Sequence, residues 1–202
     1  MDTAKIRLSP EEAALINRTD WILTKNNLLG KVKLLFSEIQ SGQHLSLQGF
    51  PNIPGQLIDS SPKISRGENY RGLPWLVLDY PRLFEKESFL SIRTLFWWGN
   101  FFSTTLHVSG KYKNVYLQKI IGSFAHLREK QFSVCINEDE WQHHFEVGNY
   151  RRIEEMNHSD FEVIVGQHSF IKLAKKMSLD QWNDADTQLT DAFIQLIHIL
   201  KN

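Results

Sequence analysis

The chain predicts an α+β fold: a single domain in which an antiparallel sheet is flanked by N-terminal and C-terminal helices. Two observations carry that prediction. Capped, helix-periodic segments stand at both ends of the sequence, and between them the apolar period changes to that of strands. A third bounds it: 202 residues give ample length for one large core, and no linker is long enough to divide the chain. The expected organisation within 1–202 is a helical part over 1–44, an irregular connection over 45–62, and a sheet-rich part with a closing helix over 63–202.

Ser9-Pro10-Glu11-Glu12 opens the first helix, with Ser as N-cap, Pro at the first helical position and Glu where a capping box needs it. Leu15, Ile16, Ile22 and Leu23, then Val32, Leu35, Phe36 and Ile39, form an apolar stripe. One long helix or two consecutive ones are predicted over about 10–41, ended by Gly42. Pro51, Pro54, Pro62, Gly49 and Gly55 make 45–62 a connection.

Strands are predicted at 63–66, 73–80, 89–98 and 102–109. A helix follows at about 113–129, then strands at 132–136, 144–147, 161–165 and 170–176. Gly166-Gln167-His168-Ser169 reads as the hairpin turn between the last two. Ser178-Leu179-Asp180-Gln181 is a second capping box, opening a helix through Leu189, Phe193, Leu196, Ile197 and Leu200.

This order resembles uncharacterised bacterial α+β families of unknown function. The carriers are Arg71-Gly72-Leu73-Pro74 before a strand, the aromatic hairpin near residue 99, and Lys176-Met177-Ser178 before the terminal helix. The resemblance spans roughly residues 64–200 and implies a fold without supplying a function.

Composition narrows the function classes. Lys plus Arg and Asp plus Glu each total 23, so there is no cation excess to replace the counterions of phosphate, and nucleic acid is not an expected partner. Five basic residues within 103–130 and eight acidic ones within 137–162 read as two solvated faces. Thr94–Gly110 is free of formal charge, but it is too short and too polar to span a membrane. One cysteine, Cys135, and an N-terminus without a secretory h-region fit a cytoplasmic protein. Cys135 lies in a short apolar run and reads as a small core residue. A homo-oligomer is compatible with the sequence but does not follow from it.

Nine of the 24 aromatic residues fall within 75–102. Each buries roughly 150–250 Å², so this block is a core, a pocket wall, or both. Gly99-Asn100 allows two hairpin registers. Pairing residues that sum to 199 mixes polar and apolar groups on both faces. Pairing residues that sum to 200, the G1-bulge type, collects Ile92, Phe96, Trp98, Phe102, Leu106 and Val108 on one face. The other face then holds Arg93, Leu95, Trp97, Ser103, Thr105 and His107, with Arg93 opposite His107.

That second register is the expected one. It makes Arg93, Trp97, Thr105 and His107 a candidate ligand face for a small anion or a planar molecule, against the plainer reading of a polar sheet surface. Arg66 and Arg71, in a two-glycine loop, are further candidates, although a structural turn suits that loop better. It is neither a P-loop nor GxGxxG.

No catalytic residue can be assigned. His143 and His144 are adjacent and chelate poorly, and Asp139/His143 and Glu140/His144 lack further ligands, so no metal and no cofactor are expected. His158-Ser159-Asp160 reads as a turn or cap. The expected function is a non-catalytic small-molecule-binding or protein-interaction module on an aromatic-rich sheet. The alternatives are an enzyme acting on an anionic or planar substrate at Arg93 and His107, and a protein whose aromatics are all core.

Overall fold

The computed structural model describes residues 6–201. Helices α1 (Pro10–Ile16), α2 (Thr19–Gly49) and α3 (Gly55–Ile58) precede a four-stranded meander: β1 (Lys63–Tyr70), β2 (Leu73–Glu85), β3 (Ser88–Trp97) and β4 (Phe101–Ser109). Helices α4 (Gly110–Gly122) and α5 (Phe124–Glu129) follow, then β5 (Ser133–Cys135), β6 (Tyr150–Arg152), α6 (His158–Gln167), β7 (Phe170–Ser178) and α7 (Ala185–Leu200). The strands form one antiparallel sheet of order β1-β2-β3-β4-β7-β5-β6. The α+β class, with an antiparallel sheet and helices at both ends, is as the sequence predicts. Among the described residues no helix is long and apolar enough to cross a membrane.

The Ser9 capping box forms: Ser9 Oγ accepts from the Glu12 amide at 3.1 Å, and the Glu12 carboxylate accepts from the Ser9 amide at 2.7 Å. Helix α2 buries Leu29, Val32, Phe36, Ile39, Gln43 and Leu47. This three–four spacing runs past Gly42, which does not end the helix: nothing crowds that position, and the stripe continues to Leu47. The irregular connection is correspondingly shorter and is interrupted by α3.

Four further expectations are corrected. No strand forms at 144–147. Residues 161–165 lie in α6, where Asn157 caps the Asp160 amide at 2.8 Å and Phe161 and Val165 bury one turn apart. A five-residue apolar run fits either period, and the cap decides it. Residues 166–169 therefore end α6 and enter β7 instead of turning a hairpin. The helix expected at 113–129 is two helices, broken at Ser123.

The β3–β4 register pairs residues that sum to 198, such as Arg93 with Thr105 and Trp97 with Phe101. The expected register was off by two, which leaves every side chain on its expected face but separates Arg93 from His107. His107 stands opposite Ser91 on one side and Lys172 on the other. The connecting turn is closed by the Asn100 amide on the Trp97 carbonyl at 3.1 Å, with Gly99 at φ +69° where a type II turn needs a positive value.

One sheet face meets the helices. Leu76, Leu78, Tyr80, Leu90, Ile92, Phe96, Phe102, Leu106, Val108, Ile171 and Leu173 join the buried sides of α2, α4, α6 and α7 in one core. The other face is covered by a strap, the irregular segment 136–149 between β5 and β6. Trp97, a candidate for the ligand face, is 5% exposed, whereas Trp98, expected on the core face, is only half-buried. Both faces of the sheet are thus covered along β4.

Candidate functional site

Between the strap and the β1–β3 end of the sheet lies a cavity of about 440 Å³. Its floor is an ion pair set by register: Asp79 stands directly opposite Arg93 on neighbouring strands. Arg93 Nε donates to Asp79 Oδ1 at 2.8 Å and Nη2 to Oδ2 at 3.1 Å, while Ser91 Oγ donates to Oδ1 at 3.2 Å. This bidentate geometry neutralises the guanidinium within the protein. A bulge between Asp79 and Arg82 then keeps Leu83 toward the core and Phe84 on the cavity side, stacked on Phe89 with centroids 4.3 Å apart.

Tyr70, Trp75 and Phe84 wall the cavity, with Val77 and Leu95 between them and Lys63, Ser65 and Asn69 at the rim. Trp75 faces Gly67 in the β1–β2 register. A Cβ built on Gly67 would lie 2.6 Å from three atoms of the indole, so only glycine lets the ring lie against the strand. The strap supplies the roof through Trp141 and His143. Arg93 sits 5.9 Å from the Trp141 ring centroid, and its Nη1 is 3.4 Å from His143 Nε2.

Sheet side chains hold the roof in place. The Tyr70 hydroxyl accepts from the amides of His143 at 2.7 Å and His144 at 3.2 Å. Lys172 Nζ donates to the carbonyls of Glu140 at 2.9 Å and Gln142 at 2.6 Å. His107 Nε2 donates to the Glu140 carboxylate at 2.8 Å. Arg71, at the β1–β2 turn, ties to Glu146 at 2.6 Å.

Burial sets the protonation of these groups. It pushes the His107 imidazole down to about 4 against the opposing pull of Glu140, so the ring is neutral, with its proton on Nε2. Its Nδ1 is buried without a partner among the described residues. Burial, with Lys172 and Arg93 nearby, also holds His143 well below the usual range, leaving Nε2 as an acceptor for Arg93. Lys172 is lowered by burial to about 8.

Of the six side chains proposed from sequence, Arg93 lines the cavity. Trp97 does not: it packs between Tyr70 and Phe101, its Nε1 donating to the Tyr70 carbonyl at 3.2 Å. Thr105 and His107 are buried beneath the strap, 5% and 2% exposed. Arg66 is exposed opposite Leu76, on the face away from the cavity, and Arg71 braces the strap.

Asp79, Tyr70, Trp75, Phe84, Trp141 and His143 were not predicted. Asp79 was findable, because pairing β2 with β3 places an acid opposite Arg93. Trp141 and His143 come from irregular chain with no period to read. Among the described residues no three His, Cys, Asp or Glu side chains converge as a metal site. Compared with known protein families, with curated proteins and with solved structures, the chain shows no significant match to any.

Proposed function

We propose that the protein is a non-catalytic small-molecule-binding module whose ligand is a flat, uncharged ring system with a hydrogen-bonding edge, seated between Trp75, Phe84 and Trp141. The observation that carries this reading is the Asp79–Arg93 pair on the cavity floor. A site built for an anion leaves its guanidinium for the ligand; here the carboxylate already takes two of its donors. Aromatic walls favour a planar guest, and a cavity of about 440 Å³ falls within the roughly 300–1,000 Å³ of small-molecule sites. Ser65, Asn69, Arg93 and His143 line the cavity and offer the edge its hydrogen bonds.

The expectation of an anion at Arg93 therefore gives way to the planar alternative. An enzyme using Arg93 with His107 draws less support, because the two are not register partners and His107 is sealed beneath the strap. A thermal-shift screen of neutral heterocycles and of carboxylates and phosphates tests the proposal. A true ligand at a hundredfold excess over its dissociation constant stabilises by about 2.7 kcal/mol. Neutral planar hits whose shift is lost in Trp141→Ala and Phe84→Ala are expected. Hits confined to anions, or unchanged in both variants, would overturn it.

A further inference from the structure

The N-terminal arm, α1 with the first ten residues of α2, carries an apolar surface that nothing among the described residues covers. No residue of α1 is buried, and the first buried residue of α2 is Leu29. Ile16 is 72% exposed, Leu23 66%, Leu15 52%, Ile22 51% and Trp21 48%. With Glu12, Arg18 and Thr19 they line a groove of about 730 Å³ between the two helices. Ile22 lies seven residues before Leu29, so the stripe that seats α2 on the body continues outward with no partner among the described residues.

Five large side chains offering on the order of 100 Å² each supply more than half of the ~800 Å² per partner of a standard interface. Patches of this size on a protein surface mark an interaction site.

Charge selects the occupant. Within 6–28, Arg7, Arg18 and Lys25 balance Glu11, Glu12 and Asp20, so the arm lacks the basic excess by which interfacial helices engage anionic lipid. Glu11 and Glu12 precede the patch, and Lys31 and Lys33 follow it. None of these four has an ion-pair partner among the described residues. In chain order the patch thus runs from an acidic end to a basic end, so an antiparallel pairing of two copies about a two-fold axis would bring unlike charges together, the pattern of a self-complementary surface. We propose that the arm is a self-association surface: two copies of this chain pair about a two-fold axis, closing their Leu15–Leu23 patches on each other.

Sedimentation equilibrium on the full chain, over a wide concentration range, tests this. The expected species has twice the 23.6 kDa mass of one chain. Ile16→Glu with Ile22→Glu should raise the dissociation constant about a hundredfold or more while the circular dichroism spectrum stays that of the folded chain. Leu45→Glu, at a 68% exposed position of the same helix outside the patch, should leave the dimer intact. A wild-type monomer at every concentration would overturn the proposal, as would a dimer indifferent to the double substitution. Arm-dependent co-sedimentation of a monomer with phosphatidylcholine/phosphatidylserine vesicles would assign the patch to lipid instead and equally overturn it.

Discussion

Strands β3 and β4 present Ile92, Phe96, Phe102, Leu106 and Val108 to the helices, and Ser91, Arg93, Thr105 and His107 to the strap. The difference follows from what covers each face. A helix satisfies its own backbone hydrogen bonds, so its partner face need only be apolar. An irregular strap brings amides and carbonyls that must find partners, and the sheet supplies them as side chains: Lys172 to two carbonyls, Tyr70 to two amides. Much of the polarity on that face is therefore scaffolding. The Asp79–Arg93 pair and the aromatic walls stand where the strap leaves a cavity.

The largest effects should come from truncating large buried aromatics, and on this measure the two faces should look alike. Phe102→Ala on the helix side and Trp97→Ala on the strap side should each cost about 3–5 kcal/mol in chemical denaturation. A small loss at Trp97 would mean that the strap is loosely seated and that the second face is not a core.

Next comes the ion pair, which separates the faces. Asp79→Ala leaves the Arg93 guanidinium, whose side chain is 13% exposed, without its carboxylate, and should cost about 3–5 kcal/mol. Adding Arg93→Met removes the orphaned charge and should recover most of that loss. Failure to recover would show that the pair holds the strands by more than mutual neutralisation.

The pH dependence comes third. His107 is held near 4 in the folded protein against 6.5 when unfolded, so between those values the unfolded chain binds the extra proton. Stability is thus fully present above pH 6.5 and declines as pH falls toward 4, by about 3 kcal/mol for this group. His143 is displaced the same way and steepens the slope. In His107→Gln the acid-side slope should flatten in part, and an unchanged slope would show that His107 is not sealed.

Trp141→Ala should be the mildest for folding, about 1 kcal/mol or less, since this side chain is 52% exposed. It should nonetheless abolish ligand stabilisation.

These contrasts also show what a sequence makes legible. The facial assignment of β3 and β4 was readable because a two-residue register error preserves parity, and alternation is strong there. The capping box at Ser9 was readable because it is wholly local. The burial of Trp97 was not, since it depends on a strap with no period, anchored by Lys172 and Tyr70 from distant strands. The cavity needed two such non-local facts at once, the β2–β3 pairing and the position of Trp141. Only Arg93 was placed there from sequence. The apolar stripe of α1 and α2 was legible as well, but not that its first third leaves the body.

The central claim is that the strap-covered face is the binding face, and chemical-shift mapping tests it most directly. With the tightest neutral planar compound from the screen titrated into labelled protein, the largest changes are predicted at the indole N–H groups of Trp75 and Trp141 and along the backbone of 140–144. Residues of α7 should stay still. Changes centred on α7 or on the N-terminal arm, with Trp75 and Trp141 unmoved, would contradict it.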